Sequence, residues 1–245
     1  MTVINLLVLT RYGSLGASSR LRSLQYLPWL KRAGIDATVS PLIDNNTLSY
    51  RYAHGKHSMW KILVCYLRRV IALIAINKNT IVWIEKESLP YLPVWTELFP
   101  LLGVPYILDY DDAVFHNYDQ HNSRLVRRWF GKRLDKLMGN SSLVICGNKY
   151  LADRAYAARA PRVEIIPTVI DLYRYPLNAL PAKYLDGIKF VPRIVWIGSP
   201  STVRYLNLIA APLQAVAGRI PFIFRVIGAE FFFPGLNIEC VSLSL

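Results

Sequence analysis

The sequence has few groups that would cross-link it or hold a metal. Its 245 residues include three cysteines, Cys65, Cys146 and Cys240, which are far apart and form no CxxC pair. A disulfide framework and a zinc site are therefore not predicted, and no metal ligand set is assigned. We interpret the cysteines as small buried hydrophobes in a reducing compartment. No basic stretch or small-residue cleavage site accompanies residues 1–10, so a signal peptide is not predicted either.

The chain also lacks an apolar run long enough to span a bilayer, which takes roughly 20 residues. The most hydrophobic internal stretch, 62–76, contains Arg68 and Arg69 near its middle. Its apolar residues recur at helical spacing, which predicts an amphipathic helix. We expect a cytoplasmic protein, at most peripheral at a membrane.

Acidic residues are scarce relative to basic ones. The sequence has 16 acidic and 29 basic residues, which gives a net charge of +13. Such an excess suits nucleic acid, an anionic membrane surface or phosphate-bearing small molecules. The basic residues are dispersed, however, and the segment 124–136 (RLVRRWFGKRLDK) is their densest cluster. For any one of these residues, a place on a solvated helix face is the favoured interpretation.

Short β-rich runs alternate with helical ones along most of the chain. The predicted strands are 3–8, 35–40, 80–84, 106–109, 143–146 and 163–166, and the predicted helices are 19–33, 62–76, 93–102, 124–138 and 149–159. This rhythm predicts an α/β fold with a parallel sheet and right-handed crossovers.

The region 171–192 breaks the rhythm. It contains Pro176, Pro181 and Pro192 and has no sustained periodicity, which is typical of a linker. Afterwards the pattern restarts with a strand at 193–197, a helix at 202–217 and strands at 222–227 and 237–242. We therefore expect one Rossmann-like domain over 1–172, a linker over 173–192 and the beginning of a second domain over 193–245.

In parallel sheets, ligands bind beyond the carboxyl ends of the strands, so the loops that follow strands are the places to search for a site. The loop after the first strand contains Gly13, Gly16 and Arg20. Its glycines allow a close backbone approach, and the following helix N-terminus and Arg20 could contact phosphate. The GxGxxG spacing of dinucleotide-binding proteins is absent, which argues against a nicotinamide-dependent oxidoreductase. An ordinary turn with a serine cap is the alternative.

Two further loops carry polar groups in the same position. Asp109, Asp111 and Asp112 follow a predicted strand, and His116 comes shortly after them. Carboxylates this close repel one another, so we expect a functional reason for the cluster. Asp111, Asp112 and His116 are candidates for orienting or deprotonating a hydroxyl. For His116 alone, a structural role is an equal alternative.

The strand at 193–197 leads into the third loop, with Gly198, Thr202 and Arg204. A glycine turn, a hydroxyl-rich helix start and a cation one turn later fit a diphosphate. A plain Ser/Thr-capped helix is the alternative here.

Together, these segments resemble the family 4 glycosyltransferases of bacteria. The resemblance rests on GASSRLRSLQYLPWL (16–30), ILDYDDAVF (107–115), LVICGNKYLADRA (143–155), VEIIPTVID (163–171) and WIGSPSTVRYL (196–206). It implies a GT-B fold, a nucleotide-sugar donor, a cell-envelope polysaccharide or lipid-linked acceptor, and no separate cofactor. It also implies retention at the anomeric carbon. In this family a basic pair follows the glycine; here Ser199 replaces its first member and Arg204 takes the lysine position.

The family's donor-binding signature, two glutamates with seven residues between them, would lie later than Leu245. We therefore expect a second domain cut short, which leaves activity uncertain and makes an inactive remnant the alternative. A nucleic-acid-binding protein remains a third hypothesis, favoured by charge alone, because no recognisable binding module is present.

Overall fold

The computed structural model describes residues 4–56, 58–173, 191–198, 200 and 202–241. The chain divides into two compact units, Met1–Pro176 and Leu177–Leu245. Most of the predicted linker 173–192, together with Ser199 and the last four residues, lies outside the described residues. The domain boundaries therefore stay a prediction.

The first unit is built on a six-stranded sheet in the order β2-β1-β3-β4-β5-β6, in which all neighbours run parallel. Its strands are β1 (Ile4–Tyr12), β2 (Ile35–Ile43), β3 (Thr80–Glu85), β4 (Tyr106–Tyr110), β5 (Leu143–Cys146) and β6 (Val163–Ile165). Its helices are α1 (Ala17–Arg22), α2 (Leu27–Arg32), α3 (Asn45–His54), α4 (Met59–Ile74), α5 (Trp95–Leu98), α6 (His116–Asp119), α7 (Arg124–Phe130), α8 (Arg133–Gly139) and α9 (Lys149–Ala157).

The core of this unit lies between the central strands and the helices. Val82, Ile84, Leu108 and Val144 are fully buried on one face of the sheet, where they pack with Leu137 of α8. Such apolar side chains on the central strands are what a sheet covered by crossover helices requires. The predicted α/β fold with a parallel sheet is confirmed.

Three predicted helices are shorter or broken in the structure. The helix predicted over 19–33 is interrupted after α1 by a 3₁₀ turn (Leu24–Tyr26), and α2 then begins at Leu27 with Pro28 in its first turn, where proline is tolerated. The helix predicted over 93–102 is reduced to α5, because Pro100 cannot continue it. The helix predicted over 124–138 divides into α7 and α8 at Gly131.

The break before α8 places Arg133 inside the protein. Its guanidinium is 2.6 Å from Glu87 Oε2, pairs with Glu97, and donates to the carbonyls of Leu89 and Leu92 at 2.7 and 2.6 Å. Burial raises the pKa of Glu87, although Arg133 partly offsets this effect. This buried network positions the loop between β3 and α5.

A helix, α3, also forms between the strand predicted over 35–40 and the helix predicted over 62–76, where the sequence predicts neither a helix nor a strand. Asp44 caps α3 by accepting a 2.8 Å hydrogen bond from the Thr47 N–H, and Gly55 ends the helix at a φ of 69°. The helix was missed because its composition is polar and shows no apolar periodicity.

The second unit contains a three-stranded parallel sheet in the order β7-β8-β9. Its elements are β7 (Arg193–Ile197), a 3₁₀ turn (Val203–Leu206), α10 (Asn207–Ala217), β8 (Ile223–Ile227) and β9 (Ile238–Val241). The helix predicted from Thr202 thus begins as a tighter turn. The small core of the second unit is formed by Leu206, Phe222, Phe224 and Val226.

None of the helices within the described ranges has the length and apolar character needed to cross a bilayer.

Candidate functional site

The strand order reverses beside β1, since the chain goes to β2 on one side and returns to β3 on the other. At such a switch point the carboxyl ends of neighbouring strands diverge and leave a crevice. The loops after β1, β3 and β4 meet there. The first candidate site lies at this edge of the first unit.

Glu85, at the end of β3, joins the loop after β1 to this edge. Its Oε2 accepts from the Ser19 hydroxyl at 2.6 Å and from the Arg11 N–H at 3.0 Å. The Ser18 hydroxyl lies 2.8 Å from Glu85 Oε1 and 2.6 Å from Asp111 Oδ2. Because a hydroxyl has one proton, it can donate to only one of these carboxylates at a time. The site therefore has more acceptors than donors.

Lys86 supplies the positive charge of the crevice. Its Nζ is 3.0 Å from Asp111 Oδ1 and 2.8 Å from Asp112 Oδ2. Burial opposes the charges of Lys86 and Asp111, but their attraction outweighs it. The pKa of Lys86 is thereby raised and that of Asp111 is lowered. Asp111 is consequently an ionised orienting group and a weak base.

The Lys86 backbone is in the left-handed region, with a φ of 65°. This conformation is uncommon for a residue other than glycine and is frequent at functional sites. It is accompanied by a 2.8 Å hydrogen bond from the Lys86 N–H to the Asp109 carbonyl. The turn after β3 therefore holds the ammonium group against the turn after β4.

The predicted carboxylate cluster is divided between two environments. Asp109 is buried with Arg22, whose Nη2 is 2.5 Å from Asp109 Oδ1. Burial raises the pKa of Asp109 to about 6, although Arg22 opposes this effect. Arg22 Nη1 also donates to the Ile166 carbonyl at 2.7 Å, which ties α1 to the end of β6. Asp109 is thus structural, whereas the Asp112 side chain is 68% exposed and available to a ligand.

The glycines of the first loop shape its backbone. A Cβ on Gly16 would lie 2.2 Å from Tyr12 Cβ, and one on Gly13 would lie 2.3 Å from Asn45 Oδ1. Arg20 Nη1 donates to the carbonyls of Ser14 and Leu15 at 2.9 and 3.1 Å. The guanidinium therefore folds over its own loop, and its phosphate contact stays a prediction.

His116, the first residue of α6, is engaged at both ring nitrogens. Nδ1 is 2.8 Å from Asp119 Oδ1, and Nε2 is 2.6 Å from the Tyr150 hydroxyl. Neither partner was singled out from the sequence. The structure thus surrounds His116 with groups that orient it.

The second unit contains the other predicted residues, Gly198, Thr202 and Arg204. Gly198 follows β7, and a Cβ there would lie 2.3 Å from the Trp196 ring and 3.0 Å from Thr202 Oγ1. Thr202 precedes the 3₁₀ turn, and Arg204 is exposed with its guanidinium 5.1 Å from the Tyr205 ring centre. A diphosphate role for this turn stays a prediction.

Sequence reasoning missed Ser18, Glu85 and Lys86. The signal was present as the charged run Glu85-Lys86-Glu87 directly after a predicted strand, the same position that singled out the aspartates. Among the described residues, no group of three or more His, Cys, Asp or Glu side chains could hold a metal ion.

No protein-family model matches the sequence, and no curated protein matches it. Solved structures match in fold. A glycosyltransferase from Rickettsia africae aligns with a TM-score of 0.59 at 11% identity, covering 100% of this chain and 69% of its own. A UDP-GlcNAc 2-epimerase from Neisseria meningitidis, bound to UDP-GlcNAc, aligns with a TM-score of 0.53 at 8% identity. The alignment covers 98% of this chain and 73% of the epimerase. A UDP-forming trehalose-phosphate synthase from Burkholderia xenovorans aligns with a TM-score of 0.53 at 10% identity. The alignment covers 100% of this chain and 74% of the synthase.

These likenesses concern the fold, which is that of the GT-B glycosyltransferases, as the sequence predicted. The epimerase has a related fold and a different activity according to its name. The reaction of this chain must therefore be argued from its own residues.

Proposed function

We propose that this chain is a glycosyltransferase of the family 4 type. It would transfer a sugar from a nucleotide-sugar donor to a hydroxyl of a cell-envelope polysaccharide or lipid-linked acceptor. The observation that carries the proposal is the fold likeness, which extends over the whole chain to proteins whose names include a glycosyltransferase and a UDP-forming synthase.

The crevice at β1, β3 and β4 is proposed to hold the acceptor. Glu85, Asp111 and Asp112 bring three carboxylates against one Lys86 ammonium, which disfavours a phosphate and favours a ligand that donates hydrogen bonds. Sugar hydroxyls are such donors. Asp112, as the exposed carboxylate, would contact the acceptor, and Asp111 would hold Lys86 and Ser18 in place.

The turn after β7 is proposed to hold the donor diphosphate. Gly198 allows the backbone to approach closely, and Arg204 would stabilise the negative charge that develops on the leaving group. Thr202 would contribute a further polar contact. Nucleotide sugar is then the donor substrate, and no separate cofactor is required by the proposal.

A transfer assay tests this function. Purified protein would be incubated with UDP-, GDP- and dTDP-sugars and with bacterial envelope lipids and oligosaccharides, and products would be identified by mass spectrometry. We expect an acceptor that gains one hexose-type residue. An epimerised donor, or no product with any pair while the protein remains folded, would contradict the proposal. The latter result would support the inactive remnant.

Attachment to an anionic membrane is proposed alongside transfer. On α4, one face carries apolar side chains that are 58–81% exposed: Met59, Trp60, Leu63, Leu67, Ile71 and Ile74. On α7, exposed Leu125 and Trp129 are flanked by exposed Arg124 and Arg128. Apolar and cationic side chains in this combination suit an anionic lipid surface.

Vesicle sedimentation tests the attachment. We expect binding to vesicles with one-third phosphatidylglycerol and little binding to pure phosphatidylcholine. Leu67→Gln should weaken binding about tenfold, since burying one leucine contributes roughly 1.5–3 kcal/mol. Leu208→Gln, at an exposed leucine of α10, is the matched control. Equal binding to both lipids, or an unchanged Leu67→Gln variant, would refute the attachment.

A further inference from the structure

Three helices bring a chain of polar side chains to the loop after β4. His116 and Asp119 lie on α6, Asp135 on α8, and Tyr150 and Arg154 on α9. Arg154 donates to Asp119 Oδ2 at 3.0 Å and pairs with Asp135 at 2.7 Å. Arg154 thus contacts Asp119 at Oδ2, whereas His116 contacts it at Oδ1. The carboxylate is therefore fixed before any ligand arrives.

The partners of His116 determine its tautomer. Asp119 is a carboxylate and can only accept, so Nδ1 carries the proton and donates to Asp119 Oδ1 at 2.8 Å. Nε2 then carries the lone pair, and the Tyr150 hydroxyl donates to it at 2.6 Å. The carboxylate of Asp119, the imidazole of His116 and the hydroxyl of Tyr150 are thus hydrogen-bonded one after another. This arrangement has the geometry of a base that withdraws a proton from a hydroxyl.

Packing keeps the imidazole in this orientation. The Phe115 ring meets His116 edge-on, with centroids 4.6 Å apart and planes at 70°. Arg154 lies 4.9 Å from the centre of the same phenyl ring. Tyr150 is the outermost of these hydrogen-bonded side chains. It is 57% exposed, and its hydroxyl occupies His116 Nε2.

This group lies at the same sheet edge as the acceptor crevice. His116 follows Asp112 by one short turn, in which the Val114 N–H donates to the Asp112 carbonyl at 2.9 Å. The loop that leads into α9 is joined to the end of β4 by a 2.8 Å hydrogen bond from the Gly147 N–H to the Tyr110 carbonyl.

We propose that Tyr150, His116 and Asp119 form the proton-accepting site for the acceptor hydroxyl, with Tyr150 as the residue that meets the substrate. The inference rests on the proposed function for its substrate class. The acceptor hydroxyl gives its proton to Tyr150 Oη as Tyr150 gives its own to His116 Nε2. The acceptor oxygen bonds to the anomeric carbon, and the bond to the diphosphate breaks with its electron pair. Asp119 stabilises the resulting imidazolium and is a positioning residue.

Tyr150→Phe tests the relay in the transfer reaction. We expect kcat to fall by about 10²–10⁴, the usual contribution of general base catalysis, with little change in the KM of the acceptor. Tyr156→Phe is the matched control, since Tyr156 is on the same helix and 58% exposed. A Tyr150→Phe enzyme as active as this control would overturn the proposal.

A second measurement needs no substrate and separates this inference from the proposed function. Nitrogen-15 spectra of the histidines, assigned with His116→Asn, should show His116 protonated at Nδ1. The Nε2 signal should shift in Tyr150→Phe, and Asp119→Asn should perturb the tautomer. An Nε2-protonated ring, or a spectrum that Tyr150→Phe leaves unchanged, would overturn the proton-accepting site. If these spectra agree and no transfer is found, the proposed function alone is wrong.

Discussion

At the residue scale, the site consists of contacts between segments far apart in the chain. Ser19 and Glu85 are 66 residues apart, and Arg22 and Asp109 are 87 apart. The rule that ligands bind beyond strand ends predicted where polar residues would gather. It could not predict which side chains pair, because pairing depends on the strand order. Asp109 was therefore grouped with Asp111 and Asp112, although it is buried beside Arg22.

The Asp111 carboxylate should contribute to stability in a pH-dependent manner. Because its folded pKa is lowered, the contribution is present above the unfolded value of about 3.9 and is lost as pH falls through the folded value. We expect Asp111→Asn to reduce the free energy of unfolding at pH 7 by about 1.5–3 kcal/mol, as for hydrogen bonds to charged groups.

Urea unfolding at pH 7, 5, 4 and 3 measures this dependence. The difference between wild type and Asp111→Asn should shrink below pH 4, whereas Asp36→Asn, at an exposed aspartate of β2, should change little at any pH. A difference that stays constant from pH 7 to pH 3 would show that the charge of Asp111 is not the stabilising feature.

At the element scale, strands were predicted better than helices. The bounds 143–146 and 193–197 agree with β5 and β7, because both strands are short, mostly apolar runs with few alternative assignments. Helix ends were less predictable. The region 124–138 has the pattern of one basic helix, but it divides at Gly131, and Arg133 at the start of α8 is buried with Glu87 and Glu97. Such tertiary contacts are not visible in local composition.

Asp44 is the N-cap of α3 and should stabilise this helix. Asp44→Ala removes the acceptor of the Thr47 N–H and the 3.0 Å contact with Arg68. We expect a loss of about 0.5–2 kcal/mol in the free energy of unfolding, typical of an N-cap. Asp44→Asn keeps an acceptor at the cap and should lose less, which urea unfolding at neutral pH would reveal. Equal losses in both variants would argue against the capping role.

At the scale of the whole molecule, each unit has a hydrophobic core of its own. The core of the first unit includes residues from Leu9 to Ala155, whereas the second unit relies on Leu206, Phe222, Phe224 and Val226. A small core supplies less stability than a large one. The restart of the strand–helix rhythm after residue 192 indicated a second unit, and the structure gives it a separate sheet.

We therefore expect two unfolding transitions, with the second unit melting first. Phe224→Ala should remove about 3–5 kcal/mol from the earlier transition and leave the later one unchanged. Leu108→Ala, in the core of the first unit, should lower the later transition instead. Calorimetry would follow both. One cooperative transition that both variants shift equally would contradict independent cores.

Binding of a nucleoside diphosphate is the sharpest test of the proposed transferase function, because it requires no knowledge of the acceptor. Isothermal titration of the wild-type chain with UDP, GDP and dTDP should show one site for at least one of them. Arg204→Ala should weaken that site at least tenfold, and Arg219→Ala, at an exposed arginine of the same unit, should leave it unchanged. Absence of binding to all three nucleotides by folded protein, or binding that Arg204→Ala does not affect, would contradict the account.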